Sequence, residues 1–120
     1  MDHKARATER FGAVEPELQE ISRWMYENPE IAHQERATSA RLGAFLREQG
    51  FEVEYPAYGL ETAFAASTGR EGPEVVICAE MDALPGVGHA CGHNVIAAAA
   101  LGAGTALAGL TEELGFRATV

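Results

Sequence analysis

Glu80-Met81-Asp82-Ala83-Leu84-Pro85-Gly86-Val87-Gly88-His89-Ala90-Cys91-Gly92-His93-Asn94 gathers most of the chain's concentrated polar chemistry into one stretch. Before it, residues 75–79 are continuously apolar, as in a strand covered on both faces. After it, residues 95–110 are a run of Ala, Gly, Val, Ile and Leu that reads as a buried helix. A polar break at residues 111–115 leads into Phe116-Arg117-Ala118-Thr119-Val120, a further strand. Strand, loop, helix and strand in that order form a crossover, which requires parallel pairing and a helix laid on a sheet. The fold class that follows is α/β. The quoted loop would leave the carboxyl end of a strand, where open α/β sheets bind their ligands.

Working outward toward the N-terminus, Gly69-Arg70-Glu71-Gly72-Pro73 is a loop rich in breakers, and residues 62–68 read as a strand. Phe51-Glu52-Val53-Glu54-Tyr55 alternates apolar and charged residues, the pattern of a half-buried strand, and Pro56 and Gly59 turn the chain after it. Residues 35–49 predict a helix that buries Ala37, Ala40, Leu42, Ala44, Phe45 and Leu46, with Gly50 as its left-handed cap. Val14, Leu18, Ile21, Trp24 and Met25 recur at helical spacing, with Pro16 suited to a first turn and Asn28-Pro29 to an end. Trp24 and Tyr26 are read as core aromatics. Residues 1–13 are polar and unpatterned, so they are expected to be a flexible, loosely held N-terminus or the start of a frayed helix, and residues 14–120 to be one continuous domain portion.

With 120 residues, 47% hydrophobic and 22% charged, the chain has the composition of a globular protein. Its formal net charge of −9 excludes nucleic acid and anionic membrane as attractive partners. The two cysteines, Cys78 and Cys91, are too few for a disulfide scaffold; Cys78 is expected to be a small buried hydrophobe, with no bridge between them. The first ten residues have no apolar segment behind them, so no signal peptide is read. The run at 95–110 is too short and too rich in Ala and Gly for a membrane span. Cytoplasm is the expected compartment.

Cys91 and His93 are two apart, so in an extended segment their side chains share a side. Thiolate and imidazole both bind zinc and related divalent ions. A helix N-terminus close to Cys91 would favour its thiolate, and Gly92 permits an unusual backbone turn. Glu80 and Asp82 at the strand end are placed to orient a ligand histidine or to coordinate directly. Spacing alone leaves open a metal loop, a loop of small residues around a satisfied histidine, and a cysteine hydrolase with Cys91 as nucleophile and His89 or His93 as base. Gly86, Gly88 and Gly92 add a fainter likeness to a dinucleotide-binding loop.

Met81-Asp82-Ala83-Leu84-Pro85 followed by His89-Ala90-Cys91-Gly92-His93 resembles the M20 metallopeptidase family, in its amidohydrolase branch. Asn28-Pro29-Glu30-Ile31 with Glu35, and Gly50-Phe51-Glu52-Val53, extend the likeness over most of the chain. The short connection from Leu84 to His89, and Asn94 after the motif, look most like aminobenzoyl-glutamate and dipeptide-cleaving members. The resemblance implies a partial three-layer α/β zinc-peptidase-like catalytic domain with a mixed, largely parallel sheet. It implies hydrolysis of the amide bond of N-acyl amino acids, aminobenzoyl-glutamate or dipeptides by two divalent ions, zinc or manganese, with cobalt or nickel as alternatives. Cys91 and His93 become metal ligands, Cys91 touching both ions, and Asp82 becomes the carboxylate that supports them. Glu80 and His89 keep open roles, and Tyr26 stands where relatives often have His.

The same resemblance implies a general-base glutamate, further histidine ligands and a lid domain that mediates dimerisation, none of them within these 120 residues. The expectation is therefore a fragment with little or no turnover of its own. The competing reading is a non-catalytic remnant whose sheet edge pairs with another chain.

Overall fold

The computed structural model describes residues 2–120; Met1 lies outside them. Helix α1 spans His3–Glu27, so the segment expected to be flexible is helical from His3 onward. Its first turn is capped by Asp2, whose side chain accepts a hydrogen bond from the Ala5 N–H at 2.7 Å. Farther along, Arg6 donates to the Gly109 carbonyl at 3.2 Å and Arg10 to the Thr105 carbonyl at 3.0 Å. Those carbonyls lie at the C-terminal end of helix α3 (His93–Ala108), where the helix dipole favours cations. The partners are 103 and 95 positions away in sequence, which is why no local pattern announces the docking. Because α1 begins so early, Pro16 sits inside the helix rather than in its first turn, where it removes one backbone donor.

The apolar stripe of α1 buries Val14, Leu18, Ile21 and Met25 as read, with Trp24 packed against the cluster and covered by the Arg41 guanidinium 4.8 Å above its ring. Tyr26 is not core: it is 66% exposed, pointing away from the stripe. Helix α2 (Arg36–Glu48) buries Leu42, Gly43, Phe45 and Leu46, but Ala37, Ala40 and Ala44 are exposed and Thr38 and Ser39 take the expected inward places. Ser39 is turned inward because its hydroxyl donates to the Thr62 carbonyl, which locks α2 to the loop ahead of the second strand.

Strands β1 (Glu52–Glu54), β2 (Ala65–Thr68), β3 (Glu74–Val76) and β4 (Arg117–Thr119) form one sheet in the order β1-β2-β4-β3. The sheet is mixed, as expected, but it is not largely parallel: β1–β2 and β2–β4 are antiparallel, and the crossover through α3 makes β3–β4 the parallel pair. In that pair Val75 faces Ala118 and Val76 faces Thr119. Because β3 is an edge strand, Val75 and Val76 are exposed and Cys78 just beyond them is exposed too. The doubly covered strand and the buried Cys78 expected from residues 75–79 are both corrected by this edge position.

All three long helices contribute to a single apolar cluster with Phe51, Ala66 and Val120 from the sheet region. The small residues of α3 make this possible. A Cβ on Gly102 would stand 2.6 Å from the Phe11 ring and 2.9 Å from Leu18, and one on Gly104 would stand 2.5 Å from Val120. One glycine thus lets α1 approach, the other the end of β4. The short helix α4 (Thr111–Leu114) occupies the expected polar break and is held to α1 by the Glu113 pairs with His3 and Arg6. No helix among the described residues is long and apolar enough to cross a membrane.

Candidate functional site

The loop between β3 and α3, residues 77–92, is pinned on both sides. On one side the Ala83 N–H donates to the Glu30 carbonyl at 2.8 Å, and Ile31 and Ala83 form an isolated parallel bridge. The Asn28–Ile31 segment is therefore tied to the loop directly after Asp82. The Glu30 side chain meanwhile accepts the N–H groups of Ala37 (3.1 Å) and Thr38 (2.6 Å), capping α2. Burial pushes the Glu30 carboxyl upward, but its bonds to Thr38, Ala37 and Arg36 outweigh that and leave it below the ordinary carboxylate range. On the other side the loop closes a small turn between Leu84 and Gly88, with Leu84 donating to the Gly88 carbonyl at 3.0 Å. Gly92, at φ 76°, then reverses the backbone into α3, a left-handed conformation that glycine adopts without strain. Asn94 fixes the helix start to α1 by donating to the Ser22 carbonyl and hydroxyl, each at 3.2 Å.

His93, the first residue of α3, lies between two carboxylates. Its Nδ1 is 2.9 Å from Asp82 Oδ1, and its Nε2 is 3.2 Å from Glu80 Oε2. A neutral imidazole has only one N–H, so it cannot donate to both. With Asp82 at Nδ1, the Nε2 atom and the Glu80 carboxylate face each other as two donors of the kind a divalent ion takes. The 3.2 Å gap agrees with two donors on one tetrahedral ion, for which bonds of about 2.0–2.1 Å give roughly 3.3 Å between ligands. Cys91 is exposed and unbridged, as is Cys78. The donor types suit a divalent ion, and yet among the described residues no three His, Cys, Asp or Glu side chains are arranged around one point that could hold it. They fit one wall of a metal centre.

His89 has the opposite environment. It is 8% exposed, and neither ring nitrogen has a hydrogen-bond partner. Burial holds the imidazole below its ordinary range, the nearby His93 pushes the same way, and Asp82 opposes them. Since both nitrogens of His93 face carboxylates and those of His89 have no hydrogen-bond partner, neither histidine is hydrogen-bonded to Cys91 as a base would be. Nor does the loop form a dinucleotide cradle, since the segment from Ile77 to Met81 separates β3 from the turn that holds Gly86 and Gly88. Sequence reasoning placed Glu80 and Asp82 near a histidine but did not reveal the capping role of Glu30, whose only signal was its position six residues ahead of the α2 start.

Comparison with known proteins gives the context for this geometry. No family model matches the chain. Xaa-Arg dipeptidase of Mus musculus is 39% identical over 87% of this chain and 27% of its own length. N-acetyl-L-cysteine deacetylase of Bacillus subtilis is 34% identical over 78% of the chain and 26% of its own length. A crystal structure from Bacillus subtilis, described as a dinuclear metal-binding peptidase of the M20 family, superposes with a TM-score of 0.79 at 30% identity, covering 90% of this chain and 35% of that one. Over most of its length this chain is similar in sequence and fold to an M20 peptidase. The α/β class and the resemblance read from residues 80–94 both hold. The chain spans about a quarter of the length of these curated relatives.

Proposed function

We propose that this chain forms one wall of the centre of a metal-dependent amide hydrolase, with His93 and Cys91 as ligands to divalent ions and Asp82 as the residue that orients His93. The observation that carries this reading is the clamping of His93 between Asp82 and Glu80. Asp82 holds Nδ1, so the lone pair of Nε2 is directed at the cation position, and Glu80 supplies negative charge on the same side. Cys91, two residues before His93 at the N-terminus of α3, adds a sulfur donor. A bound divalent ion supplies polarisation of the amide carbonyl and a more acidic water. The remaining donors and the general base come from elsewhere in the functional protein. Zinc or manganese, two ions per centre, is the cofactor assignment. The dipeptidase and deacetylase relatives support a small amide or dipeptide as substrate. A cytoplasmic location and dimer contacts on a lid domain belong to the proposal on the family resemblance alone.

Cobalt(II) tests the assignment without requiring turnover. Binding should produce a thiolate-to-cobalt absorption that Cys91→Ser abolishes and His93→Ala strongly weakens. A cobalt spectrum unchanged in both variants would remove the metal assignment. Amide hydrolysis by the 120 residues alone, supplied with manganese or zinc, should be weak or absent.

A further inference from the structure

The stretch that carries Glu80 and Asp82 is tied to the rest of the fold by its backbone only at its two ends. Ile77 donates to the Thr119 carbonyl and Ala83 to the Glu30 carbonyl, each at 2.8 Å. Among the described residues, positions 78–82 between them make no backbone hydrogen bond to another segment. Which way their side chains face is therefore left to the side chains themselves. Burial alternates along the run: Ile77, Ala79 and Met81 pack against the apolar cluster and Ala83 is buried, whereas Cys78 and Glu80 are exposed. That is the alternation of an extended backbone, in which positions two apart share a face. Met81 is the inward side chain that stands between the two carboxylates. Its sulfur lies 3.4 Å from the Ser39 hydroxyl oxygen on α2. Ser39 is fully buried and its own proton is committed to the Thr62 carbonyl, so the thioether rests on an oxygen that is held in place.

From this arrangement we infer that Met81 is a positioning residue: seated on Ser39, it fixes the face of the segment from which Glu80 and Asp82 both reach His93. Anchoring Met81 inward turns its two neighbours to the same outward side, where Asp82 meets Nδ1 at 2.9 Å and Glu80 meets Nε2 at 3.2 Å. The opposite phase would bring Met81 toward the imidazole and drive a carboxylate against the apolar cluster, where an unpaired charge is costly. A flexible thioether suits the seat, since it follows the irregular surface between α2 and the cluster. The purpose of this positioning rests on the hydrolase reading, because Glu80, Asp82 and His93 are the groups that reading places at the metal. The seating of Met81 does not depend on metal.

The test compares Met81→Leu, Met81→Ala and Met81→Val in the 120-residue chain by two measurements. In chelator, the nuclear Overhauser contact between the Asp82 methylene and the His93 ring reports whether the two still face each other. With cobalt(II), a spectroscopic titration gives the affinity. Leucine, apolar and of similar volume, should keep the contact and hold the affinity within about twofold of the parent. Alanine removes the seat on Ser39, so the contact should fade and the affinity fall by about tenfold, the loss expected when a group that orients a ligand is disturbed. Valine suits an extended backbone but is too short for the seat, and should show a smaller loss in the same direction even where the alanine chain does not fold. A full contact and parental affinity in the folded alanine or valine chain would reduce Met81 to packing and overturn the inference. Equal losses in the leucine and alanine chains would overturn it as well. A parent that bound no cobalt would remove the hydrolase reading instead, and an Asp82–His93 contact kept with leucine but lost with alanine would still establish the positioning role.

Discussion

The contact between α1 and α3 and the loop that precedes α3 meet at His93, yet they are built on opposite principles. In the helix contact the small residues of α3 remove volume so that Phe11 and Leu18 can close on it, and the fully buried Leu101 completes the packing. In the loop Glu80, Asp82 and His93 are kept within reach of solvent, with the two carboxylates bracketing an imidazole they cannot both satisfy in its neutral form. The packed region has its partners within this chain. The loop sets two carboxylates against one imidazole, the arrangement on which the proposed metal site rests. The comparison teaches that α3 serves as a rigid shelf whose apolar body fixes its polar first turn.

Breaking the packed side should have the largest effect. Leu101→Ala, at a position with no exposure, is expected to destabilise the fold by about 2–5 kcal/mol in urea denaturation, while His93 keeps its carboxylate contacts at the temperatures where the chain remains folded. Gly102→Val should cost about 1–3 kcal/mol by forcing Phe11 and Leu18 apart, read in the same experiment. A result near zero there would mean that α1 can retreat from α3 freely, and the shelf description would be lost.

Asp82→Asn acts on the other side of the comparison. It should leave the unfolding midpoint nearly unchanged and lower cobalt affinity by about 10–100-fold, measured by spectroscopic titration. Equal losses of stability and affinity would show that Asp82 maintains the loop's fold rather than the ring of His93.

The smallest effect belongs to Glu30, which joins the two regions by capping α2 beside the loop. Glu30→Gln should cost about 1 kcal/mol at neutral pH. The folded pKa of Glu30 is depressed, so its contribution is complete above the unfolded value near 4.5 and is lost as pH falls through the folded value. Stability of the parent should therefore fall more steeply than that of the variant below about pH 4.5, followed by circular dichroism during acid titration. Parallel curves would assign the cap to another group.

The regular elements and the identity of the loop were legible in the order of residues, because helical spacing, strand alternation and turn chemistry are local properties of the chain. Val14, Leu18, Ile21 and Met25 declared their shared face by spacing alone, and Gly50, Gly92 and Asn28-Pro29 marked ends where the backbone turns. The firm helical order of the segment before Val14 is not legible locally because it comes from Asp2, Arg6 and Arg10, two of which bond to carbonyls near the other end of the chain. Residues 75–79 were misread because an apolar run has the same sequence signature whether its strand is central or at an edge, and only the β1-β2-β4-β3 order decides that. The candidate donors were likewise named by sequence, but their relation was not. That Asp82 takes one nitrogen of His93 and Glu80 the other, while His89 is sealed away without a partner, depends on how the α3 shelf, the Gly92 turn and the Ile31–Ala83 bridge converge in space. Short-range sterics and periodicity are written along the chain, whereas the pairing of buried and charged groups is set by packing between segments far apart in it.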